Sequence, residues 1–315
     1  MKPVFFDSVV AALEAGFATG HNVLLYGPPG HNKSGGAEWF FREKGITDVF
    51  IKSISGGTTI EDLYGGVDIK KMRDKGIIEY RLDSPEFFGN HEYVIFDEIL
   101  DAREKILASL KDTLMAREVR NGAQRRPIKT KMIIGLTNVD AKDFADNWER
   151  AAILERFPIR ELVKWDDYSP SAFTELIKAV LDDAAYKKSK KFCDSVAVHA
   201  ATSYEEGKGV TPRNVVQAVK AVAETGKEEF GWAILNTSPK TTTVDDLPAE
   251  IGLKWRIQEM RAHVAELFRK KDFARIDKKR AFLSQYLTRA SEVEKKHIKP
   301  LHDELEKFLY TELLG

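Results

Sequence analysis

One loop constrains this chain more than any other feature. Gly27-Pro28-Pro29-Gly30-His31-Asn32-Lys33-Ser34 follows a short apolar run, Asn22–Tyr26, and leads into a helical pattern from Ser34 onward. A loop of the form G-x-x-x-x-x-K-S between a buried strand and a helix is suited to holding phosphate. Backbone N–H groups at the helix N-terminus cradle phosphate oxygens. The lysine neutralises the β- and γ-phosphates, and the serine hydroxyl is a ligand for magnesium. Asn32 stands where the strict motif has glycine, and asparagine is among the side chains that best tolerate unusual backbone angles. His31 lies within reach of a nucleotide, but a loop residue there is expected to be solvated. All eight residues are candidate ATP/ADP contacts, with Ser34 a candidate Mg2+ ligand.

A second motif agrees with the first. Tyr93-Val94-Ile95-Phe96 is apolar throughout, as a strand buried on both faces would be, and it ends in Asp97-Glu98. Apolar strands often end in solvated acids, so the pair is informative only beside the phosphate loop. There, Asp97 is positioned to hold the magnesium shell and Glu98 to deprotonate an attacking water. Phosphoryl transfer needs both the anion clamp and the metal clamp.

The remaining pattern supplies a scaffold. Residues 48–54, 131–137 and 157–163 read as further strands, and 7–17 and 102–115 as helices. Strands alternating with helices predict a mostly parallel α/β sheet with crossover connections. Past about Asp166 the strand signal stops. Helices are predicted over 171–185, 190–204 and 212–225. Residues 237–250 are polar, without periodicity, and read as a linker. Beyond them Leu253, Ile257, Met260, Val264 and Leu267 form one helical stripe, and Leu283, Leu287, Ala290 and Val293 a second. Pro300, lacking an N–H, is expected to break or kink that helix before Leu301, Leu305, Phe308 and Leu309 resume the pattern.

These motifs, in this order, resemble the AAA+ ATPases, and more closely their MoxR branch with its RavA-like members. The matching stretches are GPPGHNKS (27–34), IEDLYGGVDI (60–69), GIIEY (76–80), VIFDEILDAREKILASLKDTLMAREVRNG (94–122), KMIIGLTN (131–138) and AAILERFPIREL (151–162). The likeness covers roughly residues 5–225. It implies an α/β AAA+ P-loop NTPase core over 1–165 and an α-helical lid over 166–236, with a helical C-terminal extension over 251–315 outside the match. It also implies that about 56–90 form a small β-rich insert after the second helix, the region with which the family touches or couples to a client. Gly56-Gly57 and Gly65-Gly66 would supply its tight turns.

The resemblance carries roles to single residues. Asn138 matches the sensor-1 position that places the lytic water. Arg156 matches the arginine finger acting on a neighbouring subunit's nucleotide, with Arg150 and Arg160 as nearby competitors. Arg213, after Thr211-Pro212, matches sensor 2 in the lid. The implied protein is a magnesium-dependent ATPase, assembled as a homo-oligomeric ring, most simply a hexamer. It would remodel a protein client, with a partner bearing a von Willebrand factor A domain. The alternatives are an AAA+ motor on nucleic acid and a nucleotide-gated assembly scaffold.

Composition removes other classes. Lysine plus arginine and aspartate plus glutamate number 49 each, so no bulk charge points to nucleic acid or membrane. One cysteine, Cys193, excludes a disulfide framework and reads as a small buried residue. The histidines show no metal-ligand spacing, so zinc is not expected. No apolar run reaches the roughly 18–20 residues that span a bilayer. The first residues lack the pattern of a signal peptide, and the expected location is cytoplasmic. Trp148, Trp165, Trp232 and Trp255 are expected to serve packing. The segment Arg269–Arg280 holds seven basic residues in twelve. Its interleaved acids and lack of a companion aromatic cluster read as the solvated turn of a helical hairpin, not as a phosphate-backbone site.

Overall fold

The computed structural model describes residues 3–121, 124–139, 148–205, 209–236, 264–265, 267–288, 290 and 292–314. They fall into two compact units, Met1–Trp165 and Asp166–Gly315.

The first unit is built on a five-stranded parallel sheet. Its strands are β1 (Val23–Tyr26), β2 (Val49–Ser53), β3 (Tyr93–Asp97), β6 (Met132–Thr137) and β7 (Ile159–Leu162), in the order β2-β3-β6-β1-β7. β6 is buried at every position, as a central parallel strand must be. Alternate residues serve opposite faces. Val23, Leu25, Ile95, Ile134 and Leu136 pack with Phe6, just before helix α1 (Asp7–Thr19), with Leu13 of α1, and with Phe40 and Phe41 of α2 (Lys33–Glu43). Leu24, Val94, Phe96 and Ile133 pack on the other face with Leu107 and Leu110 of α5 (Glu104–Ala116) and with Ile153 of α6 (Trp148–Leu154). The register aligns Tyr26 with Thr137 and Leu162, and Phe96 with Gly135. The carboxyl ends of β3, β6 and β1 therefore lie side by side, where ligands bind in open parallel sheets.

The segment between β2 and β3 corrects an expectation. It holds two short helices, α3 (Glu61–Tyr64) and α4 (Ile69–Lys75), and a single β-bridge, Val67↔Tyr80, so it is not β-rich. Asp68 caps α4 by accepting from Lys71 N, and the chain leaves it through left-handed Gly76. Gly65 and Gly66 do adopt positive φ. Stacked rings of Tyr64 and Phe87, continued edge-on by Phe88 and Phe96, tie the segment to β3. An antiparallel hairpin, β4 (Glu118–Asn121) and β5 (Gln124–Pro127), follows α5 and was not anticipated. The Gln124 amide pairs with both backbone groups of Tyr80, at 2.9 and 3.0 Å, fastening hairpin to insert.

The second unit is helical. α7 (Pro170–Val180) is capped by Ser169, and α10 (Pro212–Thr225) by a capping box of Thr211 and Asn214. The helix expected over 171–185 is split. Leu181 is extended, and Asp182 starts α8 (Asp183–Lys188) by accepting from Ala185 N at 2.7 Å. α9 (Lys190–Glu205) and α11 (Glu228–Ile234) follow. Cys193 is buried, and burial pushes its thiol up to about 11, so it is no nucleophile at neutral pH. Trp165 and Trp232 are buried as expected.

Two more helices, Phe273–Leu287 and Glu292–Leu314, pack Ile276 and Leu283 against Ile298, Leu301, Leu305 and Leu309. The break expected at Pro300 is absent. The helix runs through it, because Pro300 lies on the exposed face while its neighbours Ile298 and Leu301 are buried. Within that helix His302, Asp303 and Glu306 bring ligand atoms within 4.8 Å of one another, a grouping that the sequence reading did not register. Glu306 already faces Arg280 at 3.6 Å. The expected linker 237–250, the first tail stripe up to Met260, and Trp255 lie outside the described residues, as do the side chains of Trp148 and Arg150.

Candidate active site

The phosphate loop joins β1 to α2, and its backbone is unusual. Gly27 has φ 139°, and a Cβ there would sit 2.6 Å from the Val163 carbonyl, so only glycine lets the loop pass the end of β7. Asn32 takes the left-handed conformation, φ 62°, directly before α2. The loop keeps that conformation, with asparagine accepting the angle for which glycine is the commonest residue.

The start of α2 and the ends of β3 and β6 supply the facing groups. Lys33 is buried, and its Nζ donates to the carbonyls of Gly27 at 2.8 Å and Pro28 at 3.0 Å. It also donates to Asn138 Oδ1 at 2.5 Å, and Asn138 Nδ2 donates in turn to Glu98 Oε1. A cation, an amide and a carboxylate thus form one chain across the ends of β1, β6 and β3. Ser34 Oγ donates to Asp97 Oδ2 at 2.8 Å. A hydroxyl and a carboxylate held together are the hard oxygen donors that magnesium prefers, so this pair fits the ion.

Glu98 is also left-handed, φ 54°, which is costly for a side chain of this size. Burial, then the charges of Asp97 and Asp101, hold its carboxyl above the usual carboxylate range. Asp101 was missed in the sequence. Its backbone N–H donates to the Glu98 carbonyl at 2.9 Å within a 3₁₀ turn, and its signal was an acid three residues on. His31 overturns its expected solvation. It is 4% exposed, its Nδ1 lies 3.0 Å from the Pro29 carbonyl, and its ring meets Trp165 edge-on. Burial, more than the nearby Lys33, lowers its pKa, so it is neutral at pH 7.

Arg156 is elsewhere. Its carbonyl accepts from Asn22 Nδ2 at 2.9 Å, and Asn22 precedes β1 while the phosphate loop follows it. The four residues of β1 separate the two ends by about 13 Å at 3.3 Å per residue. Arg156 therefore lies at the amino ends of the strands, opposite the carboxyl ends where its own phosphate loop sits. Its guanidinium contacts Glu155 at 3.0 Å and Met115 Sδ at 3.2 Å, and its buried Nε has no hydrogen-bond partner among the described residues. Arg160 instead donates to the carbonyls of Phe157 and Leu154 at the end of α6. Asn22, a second residue that the reading passed over, also accepts from Ile133 N at 3.1 Å. Its signal was a polar side chain at the head of an apolar run. Arg213 is exposed at the start of α10, in the second unit.

A phosphate loop after an inner parallel strand, a polar residue ending the adjacent strand and an acidic pair ending the strand beyond it define an AAA+ P-loop nucleotide-binding domain. A family model, the MoxR domain of the MoxR–von Willebrand factor A–β-propeller ternary systems, matches residues 2–201. The chain belongs to the MoxR family of AAA+ ATPases. Among solved structures it is similar to NtrX from Brucella abortus in complex with ATP, at 14% identity over 99% of this chain and 68% of that one, TM-score 0.49. It is also similar to the RuvB Holliday junction branch migration motor of Thermotoga maritima, at 16% identity over 81% of this chain and 77% of that one, TM-score 0.42.

Proposed function

We propose that this chain hydrolyses ATP at a site completed by a neighbouring copy of itself, in a closed ring, and uses the cycle to remodel a protein client. The Lys33–Asn138–Glu98 chain carries the reading. It joins an anion clamp, a water-orienting amide and a base in one hydrogen-bonded unit. Lys33 and the loop N–H groups would bind the β- and γ-phosphates. Ser34 and Asp97 would hold magnesium, which when bound neutralises charge on the phosphate oxygens. Glu98 would take the proton of a water that Asn138 orients toward the γ-phosphorus, with ADP as the leaving group. The separation of Arg156 from its own loop favours action in trans, where its charge would meet the γ-phosphate of the next subunit. Arg213 would report nucleotide to the lid.

Within the family we read the chain as RavA-like, on the stretches quoted above. The systems named in the family model support a partner with a von Willebrand factor A domain. The exposed tip of the insert supports client contact, since Ile69, Met72, Ile77 and Ile78 are all solvent-facing. The test is a trap. Tagged Glu98→Gln binds ATP with near-normal affinity, turns over at least ~100-fold slower, and co-purifies a stoichiometric protein that Lys33→Ala does not retain. Full ATPase activity in Glu98→Gln would remove the base assignment. Nuclease-sensitive material in place of a protein would remove the client reading.

A further inference from the structure

The basic segment of the C-terminal hairpin is arranged differently from its sequence reading. In that reading, interleaved acids and missing aromatics argued against a phosphate-backbone site. Asp272 turns out to cap the helix Phe273–Leu287, accepting from Arg275 N at 3.2 Å. Asp277, the one carboxylate within that helix, is held by Arg280 at 2.7 Å. Asp277 lies off the stripe formed by Arg275, Lys279, Phe282 and Tyr286, which follow one another at i, i+4, i+7 and i+11 and so share one side of the helix; Asp272, at the start of the helix, pairs with Arg275 Nε at 3.5 Å. Lys278 flanks the stripe. The buried residues Ile276 and Leu283 point elsewhere, into the hairpin core.

The aromatics are present too. Phe282 is 55% exposed and Tyr286 39%, with ring centroids 6.4 Å apart. The Arg275 side chain is 71% exposed, and Lys278 is exposed. A large exposed phenylalanine next to a row of cations is not what a merely solvated face requires. Cations spaced one helical turn apart match a polyanion, and two neighbouring exposed rings match ligands with their own π-faces. Single-stranded nucleic acid combines both, with backbone phosphates for Arg275, Lys278 and Lys279 and unstacked bases for Phe282 and Tyr286. A duplex keeps its bases stacked inside and would use only the cations.

We infer that this face of the helix Phe273–Leu287 binds single-stranded nucleic acid. The inference concerns the second unit and does not depend on the ATPase mechanism. It is tested by fluorescence anisotropy on the full chain, with a labelled oligothymidylate, the matching oligouridylate and a duplex, across a salt series. Either single strand should bind more tightly than the duplex, and the tighter of the two identifies DNA or RNA as the ligand. Affinity should fall with salt at a log–log slope near ~−2, about −0.7 for each of three phosphates neutralised. Phe282→Ala with Tyr286→Ala should weaken binding by roughly 10-fold or more. Lys278→Gln with Lys279→Gln should weaken it and flatten the slope by about 1.4. Both double variants should keep the circular dichroism spectrum and ATPase rate of the parent. No binding at low salt, or binding indifferent to both double variants, would overturn the inference. So would attachment to phosphatidylserine vesicles with no affinity for the oligonucleotides.

Discussion

At the residue scale, the working range of Glu98, the proposed base, is set by its surroundings. A general base acts only when deprotonated. Burial and the charges of Asp97 and Asp101 raise its pKa, so the acid limb of kcat should fall at a higher pH than for a solvated carboxylate. Asp101→Asn removes one like charge, lowers that pKa and should move the limb to lower pH, while nucleotide affinity changes little. A pH–rate profile of the two proteins checks this, and an unmoved limb would mean that another group titrates. Lys33 and Ser34 were legible from the motif alone, since few other arrangements place a lysine and a hydroxyl at a strand-to-helix turn. Asp101 and Asn22 were not, because their importance comes from neighbours brought in by folding. His31 was misjudged for the same reason. Its burial depends on Trp165, which lies far along the chain.

At the element scale, the parallel strands were legible because burial on both faces leaves continuous apolar runs. The hairpin β4–β5 was not read, although Asn121-Gly122 is a strong hairpin signal. Its strands carry Glu118, Arg120, Arg125 and Arg126 rather than an apolar face, so hydrophobic periodicity missed it. The insert was expected to be β-rich and instead holds two short helices and one bridge, because Asp68 and Gly76 supply a helix start and stop that a strand reading ignores. Pro300 was expected to break or kink the helix on local propensity; the break does not occur, because tertiary burial of Ile298, Leu301 and Leu305 holds the helix continuous. The helix still lacks one N–H there. Pro300→Ala should therefore stabilise the chain, by about 1–3 kcal/mol given the usual helix penalty of proline. Urea unfolding followed by circular dichroism measures it, and a loss of stability would show that the proline is needed for the local geometry.

At the scale of the whole molecule, the central claim is that one chain holds only part of an active site. The sheet makes that claim concrete. Parallel β1 and β7 put the phosphate loop and Arg156 at opposite ends of the strands, so no side-chain rotation brings them together. Arg156→Ala should leave ATP binding near normal and cut turnover by about 10³ or more, as loss of an arginine finger does. Arg160→Ala should act mainly on stability, because its donors are occupied by carbonyls at the end of α6.

The most direct measurement is therefore a mixing experiment. Arg156→Ala keeps an intact loop and base, while Glu98→Gln keeps an intact finger. Each alone should be nearly inactive. Mixed in equal amounts, with co-assembly verified by differential tags, they should regain ATPase activity, since about a quarter of interfaces in a randomly mixed ring would pair an intact loop with an intact finger. Mixed assemblies that contain both variants yet remain as inactive as either parent would contradict the shared site.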